Sequence, residues 1–109
     1  MDDRVVGIKN TVNELVSNII IRIDSICRDY KETDTLEPDR LQYFFDDLQA
    51  LAEGMDFLKE YYEDVNLFEL QEKLDLMEGA LDANDRMLFT DIIQFELKGL
   101  LGSWQELMK

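Results

Sequence analysis

The sequence predicts an all-α fold, an antiparallel up-down four-helix bundle. Three observations lead there. Apolar residues recur at spacings of three and four along most of the chain. Glycine is sparse and Pro38 is the single proline in 109 residues. The breaks between the periodic stretches are short, and short loops join antiparallel neighbours. A chain of this length fits one compact domain over 1–109 with one core.

The first helix is expected from about Asp3 to Lys31. Ile8, Val12, Leu15, Ile19, Ile23, Ile26 and Tyr30 form one stripe, with Val6 and Ile21 off it among polar neighbours. The run "IIIRI" at 19–23 is β-branched and has strand character, but the surrounding three-four spacing favours helix. "KETDTLEPDR" is the clearest linker. Pro38 suits a first helical turn and holds the residue before it out of the helical region. A second helix then runs to about Glu63. Asn66 and Glu69 have capping-box spacing and open a shorter third helix that ends near Leu81. "DAND" interrupts the chain, and the fourth helix begins near Arg86.

The second helix is the unusual one. Leu41, Phe44, Leu48, Leu51, Met55, Leu58, Tyr62 and Val65 alternate three and four, as in a bundle seam. Tyr43, Ala50, Phe57 and Tyr61 form a second stripe roughly 120° away at 3.6 residues per turn. Gln42, Asp46, Gln49, Glu53, Asp56 and Glu60 make up the polar arc. Two neighbours in a bundle can bury both stripes. The functional alternative is that Tyr43, Phe57 and Tyr61 stay open as a partner surface rimmed by Glu53, Asp56 and Glu60. A helix of about 25 residues is about 38 Å long, against about 24 Å for a third helix of about 16 residues, so some apolar face is left uncovered.

The fourth helix has two apolar stripes as well. One is Phe89, Ile93, Leu97, Leu100, Trp104 and Leu107; the other is Leu88, Ile92 and Phe95, continued by Gly99 and Gly102. Both are expected in the core, Trp104 as a large anchor near its end, and this helix is expected to be the most buried.

With 25 acidic and 11 basic residues the net charge is −14, which repels nucleic acid and anionic membrane. The apolar share of 46% is that of a globular chain, so the acidity does not imply disorder. Residues 1–31 carry five acids and five bases, and residues 86–109 three of each, so 32–85 hold the whole excess. "MDDRVVGIKN" lacks the basic start and apolar run of a secretory signal, and no apolar stretch approaches the roughly 18 residues of a membrane span. A cytoplasmic protein is expected.

Catalytic and cofactor chemistry finds little to work with. No histidine is present, which removes the usual general base, the imidazole metal ligand and the Glu-x-x-His pattern of di-iron bundles. Cys27 is alone, so it forms no internal disulfide and reads as a structural thiol. "DANDRM" has oxygen ligands like a calcium-loop start but lacks the following glycine and the glutamate at the twelfth position. No glycine-rich phosphate cradle is present. Asp47 and Glu96 each project between two apolar stripes, where a carboxylate needs a cation or a path to solvent. No enzyme activity, cofactor or metal is expected.

The stretch "ANDRMLFTDIIQFELKGLLGSW", with Asn84-Asp85, the amphipathic run after it and Trp104, resembles the C-terminal helix of FliS-type flagellar export chaperones. The resemblance covers about 22 residues and needs gaps. It implies a small antiparallel bundle that holds partner segments in apolar grooves, and it transfers no site residue.

Two functions fit these features. One is a chaperone- or adaptor-like protein-binding module that accepts an apolar, basic segment, with the acids supplying steering and specificity. The other is a structural homo-oligomer in which two copies cover each other's stripes.

Overall fold

A computed structural model describes residues 3–109 as a bundle of four helices, with no strand among those residues. Helix α1 (Asp3–Thr33) has 31 residues. At 1.5 Å per residue it is about 46 Å long. It therefore spans the long dimension of a 46 × 21 × 20 Å molecule. Helix α2 (Pro38–Leu58) and helix α3 (Leu67–Asp82) follow. The C-terminal helix covers 86–107 in three continuous segments: Arg86–Asp91 and Lys98–Leu107 are α-helical, and Ile92–Leu97 between them is π-helical.

Cross-links between side chains fix the directions. Arg22 Nη1 lies 2.8 Å from Asp47 Oδ2, and Arg40 reaches both Asp29 and Ser25, so α2 runs antiparallel to α1. Lys98 pairs with Asp24, Gln105 donates to Ser17, and Asn13 Nδ2 donates to the Met108 carbonyl. The C-terminal helix is thus antiparallel to α1 on its other side. Lys73 of α3 pairs with Glu96, which closes the up-down circuit.

The helix starts fall where the sequence places them, but Asn66 caps through the Phe68 N–H and not in a capping box with Glu69, whose N–H bonds the Asn66 carbonyl. Pro38 opens α2 behind an extended Glu37. Asn66 Oδ1 accepts from the Phe68 N–H at 2.9 Å, and Asp85 Oδ1 accepts from the Leu88 N–H at 3.0 Å. Each side chain satisfies a donor that a helix start leaves unpaired. Asp34 and Asn84 take the left-handed conformation just past α1 and α3, which short polar side chains tolerate. "IIIRI" is helical, with Ile19 and Ile23 in the core and Ile21 exposed.

Three expectations need correction. First, α2 ends at Leu58 rather than near Glu63. Asp56, Glu60, Glu63 and Asp64 crowd a helix end whose dipole disfavours anions, and Lys59 is the sole base there. Tyr62 and Val65 keep their core contacts from a turn instead of a helix, capping the bundle beyond α2. Second, the α1 face is centred slightly differently. Val5 and Val16 are buried, while Ile8, Leu15 and Tyr30 are half-buried. Third, the second stripe of the C-terminal helix is not core throughout. Ile92 is buried, but Leu88 and Phe95 are exposed.

The π segment explains the last point. Phe89, Ile93, Leu97 and Leu101 are each four residues apart, and four α-helical residues overshoot one turn by about 40°. Three such steps would carry Leu101 about 120° off the core. The wider π turn, in which the Lys98 N–H bonds the Ile93 carbonyl, absorbs one extra residue and returns Leu101 and Trp104 to the core. Phe95, inside that turn, is left pointing out.

Candidate functional site

Helix α2 forms a wall of two surface grooves, and its polar arc lies between them. Phe44, Leu48, Leu51, Met55 and Leu58 face the core. On the α1 side, Gly54 allows close approach beneath Val12. The groove there has a volume of about 650 Å³ and is lined by Leu15, Asn18, Ile21, Arg22 and Ser25 of α1 with Arg40, Tyr43 and Asp47 of α2. Ile21 and Tyr43 expose apolar surface into it, but two arginines also line it. Arg22 Nη1 sits beside Asp47 without a well-aligned hydrogen bond.

The groove on the α3 side differs in charge. About 550 Å³ in volume, it is lined by Phe45, Leu48, Gln49 and Ala52 of α2 and by Gln71, Leu74, Glu78, Leu81 and Asp82 of α3. Its floor is apolar: Phe45, Ala52, Leu74 and Leu81 are only partly covered, while Leu48 is buried beneath them. No Lys or Arg lines it or pairs with Glu78 or Asp82 among the described residues. Gln49 donates to Glu53 at 3.5 Å and Gln71 to Asp75 at 2.8 Å, so the rim amides hold two further carboxylates beside the groove. The local charge is wholly negative.

The residues singled out from sequence are dispersed along α2 and the turn after it. Tyr43 is 64% exposed in the α1-side groove. Phe57 is half-buried at the other end, with the Arg4 guanidinium 5.3 Å from its ring centroid and the Tyr61 ring 5.8 Å away. Tyr61 is exposed, past the end of the helix. Glu53, Asp56 and Glu60 are exposed. Asp56 pairs with Lys59 and holds that ammonium's pKa above its ordinary value, first by hydrogen bonding and then by charge. The structure brings Phe57 and Tyr61 together but not Tyr43.

Asp47 and Glu96 have the cations their positions call for, Arg22 and Lys73. Cys27 is buried and its Sγ donates to the Thr90 carbonyl at 3.6 Å. Burial first, then the nearby Asp24 charge, raises its pKa, so the thiol is kept neutral and unreactive. No group of three or more Cys, Asp or Glu side chains among the described residues could hold a metal ion. No helix there is long and apolar enough to cross a membrane.

A family model described as a domain of unknown function, DUF8042, matches residues 8–107. The chain belongs to the DUF8042 family. The DUF8042 match takes in all of α2, α3 and the C-terminal helix and nearly all of α1, so both grooves are built within the family unit. No curated protein and no solved structure matches the chain.

Sequence reading missed the α2–α3 groove. Its signal was available in part: Phe45 and Ala52 are seven residues apart on α2, as are Leu74 and Leu81 on α3, and neither pair lies on the aromatic stripe. Which helices face each other decides that these pairs meet, and only the fold supplies that.

Proposed function

We propose that the protein is a cytoplasmic protein-binding module, chaperone- or adaptor-like and without catalytic activity, that accepts an apolar, basic segment of another protein between α2 and α3. One observation carries this reading: an open apolar floor of Phe45, Ala52, Leu74 and Leu81 beneath a rim of Glu78 and Asp82 with no basic lining residue. A seven-residue repeat spans about 10.5 Å, two helical turns, which suits a helical segment with apolar residues at matching spacing. The acids would speed encounter and select for Lys and Arg beside those apolar anchors. The α1-side groove suits such a ligand less, because Arg22 and Arg40 line it. The likeness of residues 83–104 to FliS-type chaperones points to the same kind of function.

The test uses an amphipathic Leu/Lys helical peptide of about five turns and fluorescence anisotropy. Reversing the rim with Glu78→Lys and Asp82→Lys is expected to weaken binding about tenfold or more. Reversing two distant exposed acids of α1, Glu14→Lys and Glu32→Lys, changes net charge equally and is expected to matter much less. Equal losses in the two double variants would mean attraction to overall charge, and the groove would not be the site.

A further inference from the structure

The C-terminal helix carries an uncovered face unrelated to either groove. Met87 is 66% and Phe95 70% exposed, and Leu88 is 46% exposed beside them. Asp91 and Gly99 continue this outward line, and Gly102 and Ser103 close it. A Cβ placed on Gly99 or Gly102 would meet nothing within 4 Å, so the second half of the face carries little bulk and has open space above it.

We propose that a second copy of this chain docks here, as a two-fold antiparallel helix pair centred on Phe95. The distribution of bulk supports that occupant. Leu88 lies as many residues before Phe95 as Gly102 lies after it, and the same holds for Met87 with Ser103 and for Asp91 with Gly99. Antiparallel pairing therefore sets the large side chains of each copy against the small residues of the other, and Phe95 against Phe95. A two-fold contact requires such self-complementarity, with each pairing made twice.

Charge agrees. Arg86 has no ion pair among the described residues, and Glu106 has only its near neighbour Lys109. The pairing brings Arg86 of each copy within about one turn of Glu106 of the other. Two chains of net charge −14 repel most strongly through residues 32–85, whereas 86–109 are balanced. Helix α2 lies diagonally across the bundle from this face, so the α2–α3 groove stays open in the dimer.

Size sets the strength. A helix of this length offers a contact about 33 Å by 10 Å, roughly 330 Å² per copy, against about 800 Å² in a standard interface. The dimer is therefore weak and depends on concentration. Added salt strengthens it by screening the net repulsion, the opposite of its effect on binding a basic peptide.

Sedimentation equilibrium of the full chain from about 10 μM to about 500 μM tests this, at low and high salt. The wild type is expected to shift towards dimer as concentration and salt rise. Phe95→Glu is expected to remain monomeric, and so is Gly102→Leu, which fills the space facing Leu88 without crowding the monomer. Tyr43→Glu is expected to dimerise like the wild type. A wild type that stays monomeric at the highest concentration and salt overturns the proposal, as does a dimer indifferent to both Phe95→Glu and Gly102→Leu. Unaltered Leu/Lys peptide binding by Phe95→Glu keeps this outcome separate from the groove's.

Discussion

Gly54 of α2 lies directly beneath Val12 of α1: a Cβ on Gly54 would fall 2.6 Å from Val12 Cγ2. Val12 is buried and β-branched, so it has little freedom to turn aside. The close approach holds α1 and α2 together along the side opposite the α3 groove. Alanine in place of glycine gains about 1 kcal/mol of helix propensity but meets an overpacking cost of about 1–3 kcal/mol.

Gly54→Ala is accordingly expected to lower stability by up to about 2 kcal/mol. Gly99→Ala, which meets open space, is expected to raise it by about 0.5–1 kcal/mol. Urea denaturation of both variants checks the contrast in sign. A stabilised Gly54→Ala would mean that the two helices can move apart freely.

Phe57 is half-buried under Arg4, whereas Tyr43 and Tyr61 are exposed. Phe57→Ala is expected to cost about 1–2 kcal/mol, below the 3–5 typical of a buried phenylalanine. Tyr43→Ala and Tyr61→Ala are expected within about 0.5 kcal/mol of the parent. Thermal melts separate these ranges. A loss at Phe57 as large as at Phe44 would place its ring in the core.

Cys27 links stability to pH. Burial gives its thiol a higher pKa in the folded state than the value near 8.5 of an unfolded chain. Between those two values unfolding releases a proton, so the stabilisation is full below about pH 8.5 and is lost as pH rises towards the folded value. The stability advantage of the wild type over Cys27→Ala is expected to shrink between pH 7 and pH 10. Paired denaturation curves measure it, and an advantage that grows with pH would contradict the burial argument.

The π turn at Ile92–Leu97 is one residue too many for an α-helix in register with the core. Deleting Phe95 is expected to convert it to a regular helix with Phe89 and Trp104 still facing inward, and the bundle is expected to fold. Deleting Ala50, exposed in the middle of α2, rotates everything after it by about 100° and is expected to prevent folding. Circular dichroism and melting of the two deletions decide this. Equal damage from both would mean the π turn is not an accommodated extra residue.

Much of the architecture was legible because local chemistry and periodicity agreed. Asn66 directly precedes the apolar pair Leu67-Phe68, Asp85 stands one residue before the run that begins at Met87, and both cap. Pro38 marks where α2 starts, and the spacing around residues 19–23 outweighed their β-branching. Periodicity misled where electrostatics opposed it: Tyr62 and Val65 continue the α2 seam, but the acids around them end the helix. It also misled in the C-terminal helix, where repeated four-residue steps are met by a π turn that turns Phe95 outward. The aromatic stripe of α2 was visible in the sequence. The acid-rimmed groove was not, because it is half made by α3, and a single helix does not say which neighbour stands beside Phe45.

The most direct measurement is backbone amide chemical-shift mapping on the labelled full chain titrated with the Leu/Lys peptide. The largest changes are expected along both groove walls, at residues 45–52 and 71–82, weakening as salt rises. Little change is expected at Ile21 and Tyr43. Changes centred on Ile21 and Tyr43, or spread evenly over the acidic surface, would contradict a binding site between α2 and α3.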